Sequence, residues 1–138
     1  MNVARRKQVE YARVEALGDS NRFAPSLAAI VEWSDDAIVS KDLNGIIMSW
    51  NRGAERLFGY FAEEAIGQSI TIVLLADRRF EEEDVLARIR SGQAVDMETV
   101  RHRKDGAPIA ISLTVSPDRY MDGRLDGSST VARGVGSR

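Results

Sequence analysis

The 138-residue chain contains no cysteine and a single histidine, His102. The first absence removes thiolate nucleophiles, cysteine zinc sites, iron-sulfur clusters and disulfides. With the second, any Ser-His-Asp triad would have to be built on that one imidazole. Neither sign of charge dominates: 19 Lys and Arg stand against 21 Asp and Glu, a formal net charge of −2. That balance supplies no electrostatic pull toward nucleic acid or an anionic membrane surface. Long apolar runs are missing too. The longest, such as Ile70 to Ala76, falls far short of the roughly 20 residues of a membrane span, and the N-terminus has no signal-peptide core. The expectation is a cytoplasmic protein with no membrane segment and no nucleic-acid partner. What remains, 43% hydrophobic and 29% charged residues, fits one globular domain large enough to bury a core without disulfide or metal.

Residues 1 to 21 read as an N-terminal amphipathic helix, a cap or dimerisation element, and residues 22 to 138 as the domain proper. The first segment carries strong helix formers and no proline up to Gly18-Asp19. Its apolar Val3, Val9, Val14 and Leu17 hold no sustained heptad, so a long coiled coil is not established. Pro25 stands near the first turn of a short helix through Ser26 to Glu32. Ala37 to Lys41 and Ile46 to Trp50 are β-rich runs around Asp42-Leu-Asn-Gly45, a hairpin signal. Asn51 caps a helix over Arg52 to Phe58, ended by Gly59, and Ala62 to Ile66 makes another turn before Gly67.

From Asp77 to Arg90 the apolar Phe80, Val85, Leu86 and Ile89 predict one face of a longer helix. Its acids Glu81 to Asp84 form a solvated first turn and its Arg88 and Arg90 close the end, an order that suits the helix dipole. Three strands follow, Val95 to Arg103, Ala107 to Ser116 and Leu125 to Val135. In the second, Ile109, Ile111, Leu113 and Val115 alternate with Ala110, Ser112 and Thr114. Alternation means one buried sheet face. The element order excludes a doubly wound α/β fold and gives an α+β antiparallel sheet with helices gathered on one side.

The segments Ile30 to Gly45, Ile47 to Tyr60 (Ile-Met-Ser-Trp-Asn-Arg-Gly-Ala-Glu-Arg-Leu-Phe-Gly-Tyr), Ala62-Glu-Glu-Ala-Ile-Gly67, Arg103-Lys-Asp-Gly106 and Ser112 to Pro117 together resemble a PAS domain of the kind attached to bacterial sensor histidine kinases. Five motifs in one order and register, over about residues 27 to 133, carry the resemblance. It implies a PAS fold, five antiparallel strands in the order 2-1-5-4-3 with short helices on one face and a small pocket between. Such modules sense a small ligand or a partner domain and relay the change to an effector, such as a histidine kinase in cis or trans. They are not themselves enzymes.

Within that family the missing residues discriminate. The light-sensing flavin branch forms an adduct through a Cys just after the Ala-Glu-Glu helix, where this chain reads Gly67-Gln-Ser-Ile-Thr71. Without a thiol, a cysteinyl-flavin adduct is excluded. The haem branch ligates iron through a His on the long helix, where Phe80-Glu-Glu-Glu-Asp84 stands, and haem of that type is not expected. No cofactor is evident, and the resemblance leaves room for a non-covalent flavin or another small ligand. His102, among bases near a strand end, reads as a solvated or cross-strand position. The expected pocket set is Ile38, Trp50, Leu57, Ile72, Leu86, Ile89, Val100, Ile111, Leu113 and Val131, with strand parity at residues 37 to 40 ambiguous and Trp50 packing as core. Glu64 matches an acid that pairs with Lys104 and marks the fold.

Trp33 stands where related sequences often have a small residue, so it either fills space over the sheet or docks a neighbouring subunit. A homodimer through residues 1 to 17, Trp33 and the outer sheet face is expected. Three departures bear on transmission. Leu74 to Arg78 lacks the family's two prolines, Phe61 replaces a Ser or Thr helix cap, and Gly134-Val135-Gly136 replaces an Asp-Ile-Thr link to an output helix. No output helix is expected in this chain. Asp118 and Asp126 stand where apolar residues are common, which predicts frayed ends on the last two strands. The alternatives are a dimerisation module with a collapsed pocket and, from another class, a small enzyme using Asp77, the Glu81 to Asp84 cluster or His102.

Overall fold

The computed structural model describes residues 24–135, so the helix expected over residues 1 to 21, with Val3, Val9, Val14 and Leu17, lies outside the described residues. The described chain runs α1 (Ala24–Trp33), β1 (Ala37–Asp42), β2 (Ile47–Trp50), α2 (Arg52–Phe58), α3 (Ala62–Ala65), two 3-10 turns (Ile70–Val73 and Ala76–Arg78), α4 (Arg79–Arg90), β3 (Val95–His102), β4 (Pro108–Arg119) and β5 (Leu125–Gly134). The strands form one sheet in the order β2-β1-β5-β4-β3, every neighbour antiparallel.

The β1–β2 connection is closed by a side chain and a single left-handed glycine. Asp42 Oδ1 accepts from the backbone N–H of Asn44 at 2.8 Å and of Ile46 at 3.0 Å, while Gly45 alone takes a positive φ, 80°. Ile46 stays tied to the hairpin through its carbonyl, which accepts from Asp42 N–H at 2.9 Å, but its bridge is to Ser69, so β2 begins one residue later than its sequence suggests.

The expected fraying of β4 and β5 is not what forms. Their ladder continues through Asp118 opposite Gly127 and, after a register shift, Arg119 opposite Leu125. The Ser129 hydroxyl donates to Asp118 Oδ2 at 2.8 Å, so a polar pair replaces the apolar one.

Asn51 joins three elements at the edge of the sheet. It is fully buried, and its Oδ1 accepts from Ile38 N at 2.8 Å and Ala54 N at 2.9 Å. Its Nδ2 donates to the carbonyls of Val31 at 2.7 Å and Asp36 at 3.0 Å. The expected cap of α2 therefore also pins the end of α1 to the start of β1. Gly53 permits the same close approach, because a Cβ there would lie 2.1 Å from the Asp36 carbonyl oxygen. At α3 the missing hydroxyl cap is replaced by carboxylates: Glu64 Oε1 accepts from Phe61 N and Glu55 Oε2 from Ala62 N, each at 2.8 Å.

Candidate functional site

Strand parity decides what the sheet shows to the helices. On β1 the inward residues are Val39 and Lys41, both 3% exposed. Ile111, Leu113 and Val115 of β4 and Thr130 and Ala132 of β5 face the same way. Phe58, Ile70, Val73, Leu74 and Val85 close the space from the helical side, leaving a cavity of ≈ 40 Å³. By volume it holds about three or four water-sized groups.

One part of this apolar wall is charged. Lys41, Glu82 and Arg101 also line the cavity. Lys41 Nζ donates to both oxygens of Glu82, at 2.8 and 3.0 Å. Beside it, Arg101 Nη1 and the Thr99 hydroxyl each donate to Glu81 Oε1 at 2.7 Å, and Arg78 Nη1 to Glu81 Oε2 at 3.0 Å. Both acids were expected in a solvated first turn; both are buried. The helical repeat that places Val85 and Ile89 against the sheet also places Glu81 there, one turn earlier, with Glu82 alongside. Phe80, expected on the packed face, is rotated off it and 63% exposed. Inward-facing Lys41 and Arg101 make the burial of two carboxylates tolerable. Burial alone would push Glu81 upward, but the hydrogen bonds from Arg101 and Thr99, the Arg101 charge and Arg78 outweigh it. The carboxyl is held below the usual glutamate range.

Of the ten expected pocket residues, Ile111 and Leu113 line the cavity. Ile89 and Trp50 are fully buried elsewhere in the core, the latter with its indole N–H on the Tyr60 carbonyl at 3.0 Å and its ring 5.4 Å from that of Phe58. Leu57 and Ile72 pack half-buried against that core, and Leu86 is half-buried beside Gly45. Ile38 and Val100 have the opposite parity to the lining residues Val39 and Arg101, and both are half-buried. Val131 is corrected most plainly: it is 40% exposed, while Ala132 faces in. Lys41 and Arg101 escaped the sequence reading, and Glu82 entered it only as part of the acidic cluster of residues 81 to 84. Their signal was a basic residue at an inward position of each of two strands, with an acid pair on the helix above.

The remaining candidates lie apart from the cavity. Lys104 pairs with Glu64 on the surface. That hydrogen bond, then the one from Phe61 N–H, holds the Glu64 carboxyl below its ordinary range despite some desolvation. His102 is half-buried with Nδ1 2.9 Å from the Arg103 carbonyl. Asp77, Glu83 and Asp84 are exposed and diverge from the buried pair. Trp33, 61% exposed, does not fill space over the sheet; the Arg52 guanidinium lies 3.9 Å from its ring. No helix among the described residues is long and apolar enough to cross a membrane.

Comparison with known proteins agrees with this architecture. The PAS fold family matches residues 26–135. Two-component system protein A of Emericella nidulans is 30% identical over 136 residues, covering 95% of this chain and 20% of that protein. Sensor protein FixL of Bradyrhizobium diazoefficiens is 29% identical over 94 residues, 64% of this chain and 19% of FixL. The chain thus spans about a fifth of these curated relatives. Among solved structures, the PAS domain of a Colwellia psychrerythraea protein superposes with a TM-score of 0.77 at 27% identity, covering 83% of this chain and 98% of that one. An RNA-binding light-oxygen-voltage receptor shares the fold at 24% identity and a TM-score of 0.75, over 85% of this chain and 34% of its own. Matched over most of its length and folded with its sheet in the order 2-1-5-4-3, the chain belongs to the PAS family, with relatives among two-component sensors.

Proposed function

We propose that this chain is the sensory module of a cytoplasmic signalling protein, taking a small ligand into the cavity between α4 and the sheet. Occupancy is relayed to an effector such as a histidine kinase, in cis or trans. The observation that carries this reading is the cavity, with the buried Lys41–Glu82 pair and the arginine of the Arg101–Glu81 pair on its wall. These pairs tie α4 to β1 and β3, so a ligand that rearranges either pair alters how the helix sits on the sheet. The dimer belongs to the same proposal. Leu27, Ile30 and Trp33 form an exposed stripe on α1, 36%, 65% and 61% accessible, which a second copy of the chain would cover.

The small cavity favours a second reading, a module that only pairs copies of itself around a packed core. A native mass and absorbance spectrum of the freshly purified chain separates the two. The sensory reading expects a retained small molecule that is released on denaturation. A dimer of clean apo mass, unchanged by a panel of added metabolites, overturns it in favour of the pairing module. A monomer at high concentration removes the dimer from the sensory reading and overturns the pairing module.

A further inference from the structure

Arg101 is only 5% exposed and lines the cavity, yet it uses one nitrogen. Nη1 donates to Glu81 Oε1 at 2.7 Å, Thr99 Oγ1 at 3.2 Å and the Val100 carbonyl at 3.3 Å. None of the hydrogen bonds among the described residues uses Nε or Nη2. Those two N–H groups form the edge of a guanidinium that meets both oxygens of a carboxylate in parallel. Neither nitrogen is among the fully buried side-chain atoms left without a partner, so both are open to a ligand or to water.

One further observation points the same way. The cluster sets two buried cations, Lys41 and Arg101, against two carboxylates, Glu81 and Glu82, with the Arg78 side chain, 38% exposed, as a third cation at its edge. One monoanion brings that count to zero. The apolar walls and the ≈ 40 Å³ volume set the size of the rest: a few heavy atoms, with no room for a fused-ring cofactor in this arrangement.

We infer that the ligand of this cavity is a short-chain monocarboxylate, about propionate in size, whose carboxylate is received side-on by Nε and Nη2 of Arg101. Its aliphatic tail lies against Ile111, Leu113 and Val115. This rests on the ligand-binding reading above and names the chemical class.

The test titrates the full chain, labelled at Ile, Leu and Val methyls, with sodium propionate and separately with propionamide at constant ionic strength. The expected result is saturable shifts at Leu113 and Val115 with propionate, and at least tenfold weaker binding of the neutral amide. Arg101→Lys keeps the charge but loses the paired edge, and propionate binding should fall at least tenfold. If that variant does not give the wild-type spectrum, the wild-type acid-against-amide comparison decides alone. Equal binding of the two probes, or full propionate affinity in a folded Arg101→Lys, overturns the acid class and leaves ligand uptake standing. Silence of these methyls to both probes overturns the inference as well, and the native mass then shows separately whether another ligand class is held.

Discussion

Substituting Arg101 by Gln should expose the cost of the buried carboxylate beneath α4. The side chains of Arg101 and Glu81 are 7% and 8% exposed, so the change strands a desolvated acid with Thr99 and the partly exposed Arg78 as its remaining donors. Removing one partner of a buried pair typically costs about 3–5 kcal/mol. Here protonation sets a ceiling, because neutralising an ordinary glutamate at pH 7 costs about 3.7 kcal/mol. Arg78 offsets part of that, which gives an expected loss of about 3 kcal/mol at pH 7.

The pH dependence has a definite sign. In the wild type the Glu81 carboxyl is held low, so its contribution is complete above the ordinary glutamate range and is lost as pH falls through the depressed value. In the variant the stranded acid prefers its proton, and protonation becomes cheaper as pH falls. The deficit should therefore shrink to about 1 kcal/mol at pH 5. Urea unfolding followed by the fluorescence of buried Trp50 measures both values. The double variant Glu81→Leu, Arg101→Met should recover most of the loss, since apolar replacement of a whole buried pair is often neutral or better. A loss under about 1 kcal/mol at pH 7, or one unchanged between pH 7 and 5, would refute the burial argument.

Asn51→Ala removes a helix cap worth about 1 kcal/mol and leaves buried backbone groups of α1, β1 and α2 unmet at about 1–3 kcal/mol each. We expect at least about 3 kcal/mol of destabilisation, and faster amide exchange in residues 37–39 and 52–55 under native conditions; unchanged exchange would contradict the pinning. Val131→Glu should leave the unfolding midpoint nearly unmoved while Ala132→Glu prevents folding, and the reverse outcome would overturn the parity assigned to β5. Carboxyl NMR should find Glu64 titrating below the usual glutamate range and returning toward it in Lys104→Ala. An unaltered titration in that variant would remove Lys104 as the main cause.

The sheet was legible because β4 carries a period-two pattern and the β1–β2 turn the Asp and Gly that it needs. The strict alternation of Ile109 to Val115 placed β4 without help, and Asn51 and Gly59 bounded α2. The Glu64–Lys104 pair was implied by the family resemblance at two of its motifs. Parity on β1 was not legible: Ala37, Ile38 and Val39 are all apolar, and the choice between Ile38 and Val39 depends on which face meets the helices. The same holds for Val131 against Ala132, where the smaller residue faces in. The charged wall of the cavity was hidden for a different reason. Read along α4 alone, Glu81 to Asp84 is an acidic first turn of the kind that faces water. Only the pairing of β3 with β4 and of β1 with β5 brings Arg101 and Lys41 beneath the first two of those acids.

The central claim is that an accessible cavity lies on the inner face of the sheet between α4 and β1, β5 and β4. Methyl-resolved NMR of the chain under increasing xenon pressure tests it most directly, since xenon enters apolar cavities of modest size without specific chemistry. The account predicts saturable shifts at Val39, Val85, Ile111, Leu113 and Val115, with Ile38 and Val131 silent. Shifts confined to Ile38 and Val131, or none that saturate, would contradict it.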